Sequence, residues 1–229
     1  MFTTRTVKNT IWFSLLIQLI TGIIPLHTLF ININEKHDIL KDILILETVV
    51  QFIEMLFYIW IAFAVLNIKK MASRRYIDWV ITTPAMLLST IMFMNYQGKK
   101  EKNKLDEEPV KTKQFLTDNK DNIVKIFLYN LVMLTFGYLG EQNILSKFIS
   151  IPIGFVFFFK TFELIYNNYA IHSNLGVKLF YFMFIVWSLY GVAATFKPNE
   201  KNVSYNVLDI ISKNFYGLFI YFQILQIAS

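Results

Sequence analysis

Apolar and polar positions along the chain form long blocks. Each apolar block reaches the roughly 20 residues that a helix needs to cross the hydrocarbon core of a bilayer. Short polar segments such as "NINEKHD" and "KPNEKN" separate the blocks. The pattern predicts an all-α fold, a bundle of seven transmembrane helices at about residues 10–31, 40–66, 75–96, 121–140, 144–167, 175–196 and 203–226.

The longest polar stretch, residues 97–122, is predicted to be a loop between helices three and four. It contains seven lysines and six acidic residues. Lysine-rich loops favour the cytoplasmic side, which with seven spans places the N-terminus outside the cell. The first apolar run is too long for a signal peptide, so it is expected to be the first span. The whole chain, 1–229, is then expected to be one transmembrane domain.

Composition and charge narrow the function classes. Of the 229 residues, 55% are hydrophobic and none is cysteine, which excludes disulfides and thiolate metal sites. The three histidines do not cluster at metal-ligand spacing, so no metal site is expected. Much of the net charge of +6 lies at helix ends, where lysines suit anionic headgroups. The expected partner is therefore a lipid bilayer and not a nucleic acid.

Two charged residues interrupt the seventh apolar run. Lys213 lies near its middle and Asp209 precedes it by one turn, so both side chains share one helix face. A charge at the centre of a spanning helix costs about 2.5 to 3.5 kcal/mol on insertion scales, so an intramembrane lysine indicates a function. An uncharged lysine amine can condense with an aldehyde to give an imine. A merely structural ion pair is the alternative.

The third run offers a second carboxylate. Asp78, Thr82 and Ser89 stand four and then seven residues apart, so they form one stripe along a helix. Carboxylates near Lys213 would balance a protonated imine, because an unpaired buried cation is too costly. Arg75, one turn before Asp78, is expected at the end of the span, where water can reach it.

Helices three and seven resemble those of a known family. The residues "RYIDW" at 75–79, "TTP" at 82–84 and "NVLD" at 206–209 before Lys213 are similar to the microbial rhodopsins. That family binds retinal as a Schiff base on the lysine of helix seven. The resemblance covers the whole chain in the number, length and order of helices. It implies the microbial rhodopsin fold, with retinal attached to Lys213 and all-trans in the dark.

The resemblance also implies the surroundings of the retinal. Asp78 and Asp209 would be the counterions of the lysine. The element "WSLYG" in the sixth run is similar to the Trp-x-x-Tyr element of the family, and "MLTFG" in the fourth run resembles the residues that line the ionone ring. Gly191 stands where many pumps have proline, which alters the expected pocket shape. The implied pocket residues are Trp79, Thr82, Met133, Gly137, Trp187 and Tyr190.

Polar residues in the first, second and seventh runs predict a wet seam between these helices. Glu47 and Glu54 lie seven residues apart and so on one face of the second run. Carboxylates that line such a seam attract cations. Glu54 is expected in the outer half, beside Ser14 and Asn206. Glu47 is expected deeper, near Gln18 and Asn214; hydrogen-bonded structural glutamates are the alternative. The predicted ion pathway consists of Ser14, Gln18, Glu47, Glu54, Arg75, Asn206 and Asn214.

The seam residues resemble one subgroup of the family, the channel-like viral rhodopsins (group 1) of large algal DNA viruses. That resemblance implies a light-gated cation channel in a host cell membrane. Monovalent cations and protons are the expected ions, and calcium is a further candidate. No enzymatic activity is expected, and a homo-oligomer is left open.

Three other functions remain open from the sequence. An outward proton pump agrees with Asp78 and Thr82, but Ser89 stands where such a pump typically has a carboxylate to reprotonate the Schiff base. A hydroxyl cannot donate that proton near neutral pH. No sequence feature speaks for or against a sensory rhodopsin. A seven-helix transporter or receptor without retinal is the third.

The substitution Lys213→Ala tests the attachment site. It removes the amine that the imine requires, so the visible absorption band and any light-evoked current should vanish together. Spectra and currents of protein expressed with retinal measure both effects. A variant that keeps the band would place the attachment site elsewhere.

Overall fold

The computed structural model describes residues 2–63 and 68–228, and the regular structure in these ranges is helical. Short 3-10 helices follow the first helix at Ile24–Phe30 and stand at Glu35–His37 and Ala170–His172. A π-helical segment, Ile210–Asn214, joins the last two α-helices. The α-helices are α1 (Thr4–Ile23), α2 (Ile39–Phe63), α3 (Ile68–Glu101), α4 (Thr112–Asp118), α5 (Lys120–Glu141), α6 (Lys147–Asn168), α7 (Asn174–Ala193), α8 (Pro198–Asp209) and α9 (Phe215–Ala228).

The predicted seven-helix bundle is confirmed. Within the described ranges, six helical runs are long and apolar enough to cross a membrane, and they contain α1, α2, α3, α5, α6 and α7. The seventh crossing consists of α8, the π-helical segment and α9, which follow one another without a break. The predicted runs 75–96, 121–140 and 203–226 lie entirely within helices, and the first run is helical as far as Phe30. The run 144–167 begins three residues before α6, and the run 175–196 ends three residues after α7. The end of the second run, 64–66, lies outside the described residues.

The polar stretch 97–122 is only partly a loop. Helix α3 continues to Glu101, α4 forms within the stretch, and α5 begins at Lys120. The carboxylate of Glu101 accepts hydrogen bonds from the backbone N–H groups of Asn174 at 3.0 Å and Leu175 at 3.4 Å. These two groups lie at the N-terminus of α7, where a negative charge is favoured. The C-terminal extension of α3 therefore binds α3 to the N-terminus of α7. The number of charged residues in the stretch 97–122 does not predict this contact.

Lipid-facing and interior positions are divided as a bilayer requires. Large apolar side chains such as Trp12, Leu56 and Phe148 are exposed on the outside of the bundle. By contrast, the guanidinium of Arg75 and the amine of Lys213 belong to side chains that are almost completely buried. In hydrocarbon, charged groups must face the interior and find partners there, so the functional chemistry collects between the helices.

The π-helical segment positions the buried lysine. It includes Lys213 and Asn214, and the N–H of Phe215 bonds to the carbonyl of Ile210, five residues earlier. Such a wide turn rotates the following helix relative to the preceding one and often occurs at functional sites. Lys213 and Asn214 therefore lie on a segment of backbone in which the hydrogen bonds differ from those of an α-helix.

Candidate functional site

Carboxylates from three different helices surround the amine of Lys213. Its Nζ lies 2.8 Å from Asp78 Oδ2 on α3 and 3.4 Å from Glu54 Oε1 on α2. Asp209 Oδ1, on α8, is 3.9 Å away. Lys213 itself is 2% exposed. The structure thus brings together the lysine and both predicted counterions, and it adds a third carboxylate that the sequence had placed elsewhere.

Asp209 is shared with other partners. It accepts hydrogen bonds from Tyr58 OH at 2.6 Å, Arg75 Nη1 at 2.8 Å and Tyr190 OH at 2.8 Å. These three contacts spread its charge, whereas Asp78 makes the shortest contact with the amine. Asp78 is therefore the direct ionic partner of Lys213, and Asp209 connects Lys213 to Arg75.

The expectation that water reaches Arg75 is wrong. Its side chain is 1% exposed, because α3 begins at Ile68 and places Arg75 two turns inside the helix. The guanidinium forms an ion pair with Asp209 and hydrogen bonds to Tyr58 OH at 3.0 Å and to Asn206 Oδ1. A buried cation with such partners is well compensated. Arg75 therefore lies in the interior of the bundle as part of a closed network.

A cavity with a mostly aromatic and apolar wall opens beside Lys213. Ligand pockets are typically lined in this way. Five of the six predicted pocket residues line it together with the lysine: Trp79, Met133, Gly137, Trp187 and Tyr190. Lining residues that sequence reasoning missed include Tyr76, Thr83, Met86, Phe155, Phe158, Tyr205 and Ser212.

Thr82 does not line this cavity in the part of the chain that the structure describes. Its hydroxyl is buried and donates to the backbone carbonyl of Asp78 at 3.0 Å. The neighbouring Thr83 lines the cavity, and its Oγ1 accepts a hydrogen bond from Asn130 Nδ2 at 2.8 Å. Successive residues on a helix point in directions that differ by roughly 100°. Thr83 therefore faces the cavity, and Thr82 does not.

Two glycines determine the shape of the cavity. A Cβ at Gly191 would lie 2.5 Å from Phe155 Cζ, so only glycine lets that ring approach α7. A Cβ at Gly137 would lie 2.8 Å from Tyr76 OH. The ring of Phe155 thus occupies the space beside Gly191, where many pumps have proline.

The residues that line the cavity fit retinal. An elongated apolar aldehyde needs an apolar wall and an amine at one end, and the cavity offers both. Trp79 meets Tyr190 and Tyr205 edge-on, with ring centroids 5.5 Å and 5.1 Å away. These packed rings give the wall beside Lys213 a fixed form.

Hydrogen bonds around Asn206 close the end of the predicted seam where Ser14 lies. Ser14 Oγ donates to the backbone carbonyl of Asn206 at 3.3 Å, and Asn206 Nδ2 donates to Thr10 Oγ1 at 2.7 Å. Tyr58 OH lies 3.2 Å from its Oδ1. Glu54 was expected here, but Tyr58, one turn further along α2, takes that place. Glu54 therefore lies one layer deeper, beside Lys213.

Glu47 and Asn214, which were expected close together, form hydrogen bonds with different partners. Glu47 Oε1 accepts a hydrogen bond from Ser89 Oγ on α3, while Asn214 Nδ2 donates to Thr21 Oγ1 on α1 at 2.9 Å. Their expected proximity stays a prediction. Gln18 is buried, and its amide makes no hydrogen bond to any described residue.

Sequence reasoning missed three residues of the seam: Thr21, Gln51 and Tyr58. Thr21 Oγ1 lies 3.1 Å from Gln51 Oε1. Gln51 and Tyr58 continue the helical face that carries Glu47 and Glu54, and this spacing could have identified them. The sequence gives no such signal for Thr21, because a single threonine is common in an apolar run.

Comparison with known proteins gives one family. A family model described as bacteriorhodopsin-like protein matches residues 9–227. The crystal structure of viral rhodopsin OLPVRII is similar, with a TM-score of 0.80 and 26% identity over 96% of this chain and 98% of that chain. A search of curated proteins finds no match.

Two further solved structures support the fold alone, since their identity is low. The blue light-absorbing proteorhodopsin from Med12 has a TM-score of 0.73 and 17% identity, covering 96% of both chains. Exiguobacterium sibiricum rhodopsin has a TM-score of 0.73 and 17% identity, over 99% of this chain and 98% of that chain.

The substitution Asp78→Asn tests which carboxylate is the direct partner of Lys213. With retinal attached, the band should move to longer wavelength, because a negative charge near the nitrogen stabilises the ground state more than an excited state whose charge has shifted. Asp209→Asn is the matched variant and should shift the band less, since its oxygen lies further away. A larger shift in Asp209→Asn would contradict the assignment.

Proposed function

The chain belongs to the bacteriorhodopsin-like family, and on that premise we propose that it is a light-gated cation channel. The family consists of multi-pass membrane proteins that carry retinal and take part in light-driven ion transport. In the proposal retinal is attached to Lys213 and is all-trans in the dark. Asp78 and Asp209 are its counterions, and cations pass along α1, α2 and the last crossing.

The observation that carries this proposal is the position of Glu54. Its Oε1 is 3.4 Å from Lys213 Nζ, and the same helix face continues to Gln51 and Tyr58 in the seam. A carboxylate in this position belongs both to the charge cluster around the lysine and to the polar seam. Light absorbed beside Lys213 can therefore act directly on a residue of the ion path.

Charge balance supports a role for Glu54 in attracting cations. The cluster has three carboxylates, Glu54, Asp78 and Asp209, and two cations, Arg75 and Lys213. Glu54 makes no hydrogen bond to the described residues, whereas Asp78 and Asp209 each accept one or more. The surplus negative charge thus falls on the carboxylate that is least engaged. A proton or a metal cation would balance it.

A proton transfer within the cluster would couple light to this balance. Retinal bound at Lys213 supplies light absorption and isomerisation. Asp78 Oδ2, at 2.8 Å, is placed to accept the proton held at the nitrogen of Lys213. Once the proton has moved, that nitrogen no longer offsets the charge of Glu54. Glu54 then attracts a cation from the seam more strongly than before.

The network around Arg75 forms an electrostatic barrier at the N-terminal end of the proposed path. Arg75 is a fixed positive charge between Asp209 and Asn206, and a cation that entered from the N-terminal side would meet it first. Like charges repel each other more strongly in a buried setting than in water. The barrier therefore limits the rate at which cations enter, and it changes when the charges around Lys213 change.

The viral relative and the lysine-rich stretch support the remaining assignments. The chain is similar to a viral rhodopsin, which supports the proposal of a host cell membrane. The channel-like viral subgroup is proposed from the seam residues alone. The lysines between α3 and α5 favour an extracellular N-terminus. The transported ions are monovalent cations or protons, with calcium as a further candidate.

A second function, outward proton pumping, is favoured by one contact. Ser89 cannot supply a proton itself, but it donates a hydrogen bond to the carboxyl group of Glu47. Glu47 thus brings a carboxyl group to the position on α3 where a pump has its proton donor. This arrangement would suit a pump if Glu47 released its proton toward Lys213.

Current recorded against voltage distinguishes the two functions. In cells that express the protein with retinal, we expect a light-evoked current that changes sign with voltage. For a tenfold change in the gradient of a permeant monovalent cation, the reversal potential should move by about 59 mV. Cells without retinal are the control. A current that remains outward at every voltage and gradient would contradict the channel and support the pump.

A further inference from the structure

A layer of uncharged side chains crosses the seam on the inner side of Lys213. Asn214 Nδ2 donates to Thr21 Oγ1 at 2.9 Å, and Thr21 Oγ1 lies 3.1 Å from Gln51 Oε1. Each of these side chains is buried. The layer thus links α1, α2 and the π-helical segment, which are the elements of the proposed ion path.

Gln51 fills the space between two helices in this layer. A Cβ at Gly217 on α9 would collide with Gln51 Nε2, whereas a Cβ at Gly22 on α1 would lie 3.7 Å from Gln51 Oε1. The first approach is possible only with glycine, and the second is an ordinary contact. The amide therefore lies against α9 and closes the gap toward α1.

The bond between Thr21 and Gln51 can be exchanged at low cost. A threonine hydroxyl has a single proton to donate. For that proton Thr21 has three acceptors: Gln51 Oε1 at 3.1 Å and the backbone carbonyls of Ile17 at 2.8 Å and Gln18 at 3.5 Å. If Gln51 leaves, Thr21 still donates to Ile17. The arrangement therefore has two states in which the hydroxyl is satisfied.

The position of the layer connects it to the lysine. Gln51 stands between Glu47 and Glu54 on one face of α2, so a cation moving from one glutamate to the other must pass it. Asn214 directly follows Lys213 within the π-helical segment. A displacement of Lys213 must therefore shift the backbone of Asn214, which holds Thr21.

We propose that Gln51, held by Thr21 and Asn214, is the gate that closes the cation path in the dark. This inference rests on the proposed channel function and adds the residue that blocks it. When Lys213 moves, Asn214 releases Thr21, Thr21 turns to Ile17, and the amide of Gln51 swings out of the path. An amide does not titrate, so the block is one of packing and not of charge.

Thr21→Val tests the gate, because valine has the shape of threonine without its hydroxyl. Losing a hydrogen bond of the closed state should raise the dark cation current about tenfold. Thr21→Ser restores the hydroxyl and should return the dark current to the wild-type level. None of the three gate residues lines the cavity, so the absorption band should stay in place and report a folded protein.

Gly217→Ala and Gly22→Ala form a matched pair that tests the same gate from the glycine side. The new methyl group at 217 must displace Gln51, so this variant should conduct in the dark as Thr21→Val does. The methyl group at 22 meets only an ordinary contact and should leave the dark current unchanged. The pair decides the question if Thr21→Val does not develop a visible band.

The outcomes separate this inference from the channel proposal. If the wild-type light current reverses with the cation gradient but Thr21→Val and Gly217→Ala have wild-type dark currents, Gln51 is not the gate. If the wild-type current never reverses, the channel proposal fails and the gate fails with it. If Gly22→Ala leaks as much as Gly217→Ala, the effect is a general loosening of the helices, and the specific role of Gln51 is overturned.

Discussion

A positive charge held in the middle of the bundle is the constraint on which the rest of the structure depends. Lys213 is 2% exposed, and a lone ammonium at that depth would be prohibitively costly. Asp78, Asp209 and Glu54 compensate it from α3, α8 and α2. The surplus of negative charge is reduced in turn by Arg75, which pairs with Asp209. These contacts fix the rotation of each of these helices about its own axis.

The same charges separate a dry compartment from a polar one. On one side, Tyr190 both lines the aromatic cavity and bonds to Asp209. On the other, Tyr58 bonds to Asp209 and to Asn206 in the seam. The proposed channel thus needs no long-range relay between the cavity and the proposed ion path, because one carboxylate has a partner in each. Coupling can occur through a direct change in electrostatic balance.

The sequence predicted what depends on spacing within one helix and missed what depends on the neighbouring helix. The helix positions follow from the lengths of the apolar runs, and the role of Lys213 beside Asp78 follows from their charges within the membrane. Most of the cavity wall follows from the family resemblance. The sequence does not predict the depth at which side chains of two different helices meet. For this reason Glu54 was expected beside Asn206, where Tyr58 lies, and Thr82 was chosen in place of Thr83. Arg75 was misplaced because its helix begins seven residues earlier.

The most direct measurement is to record the absorption band and the light-evoked current of Glu54→Gln in the same preparation. The central claim is that Glu54 belongs to both the charge cluster and the ion path. Removing its charge, 3.4 Å from Lys213, should shift the band and also reduce the current or change its ion selectivity. Glu163→Gln, in α6 and away from this cluster, is the control. An unchanged band, or an unchanged current, would show that the two sites are separate.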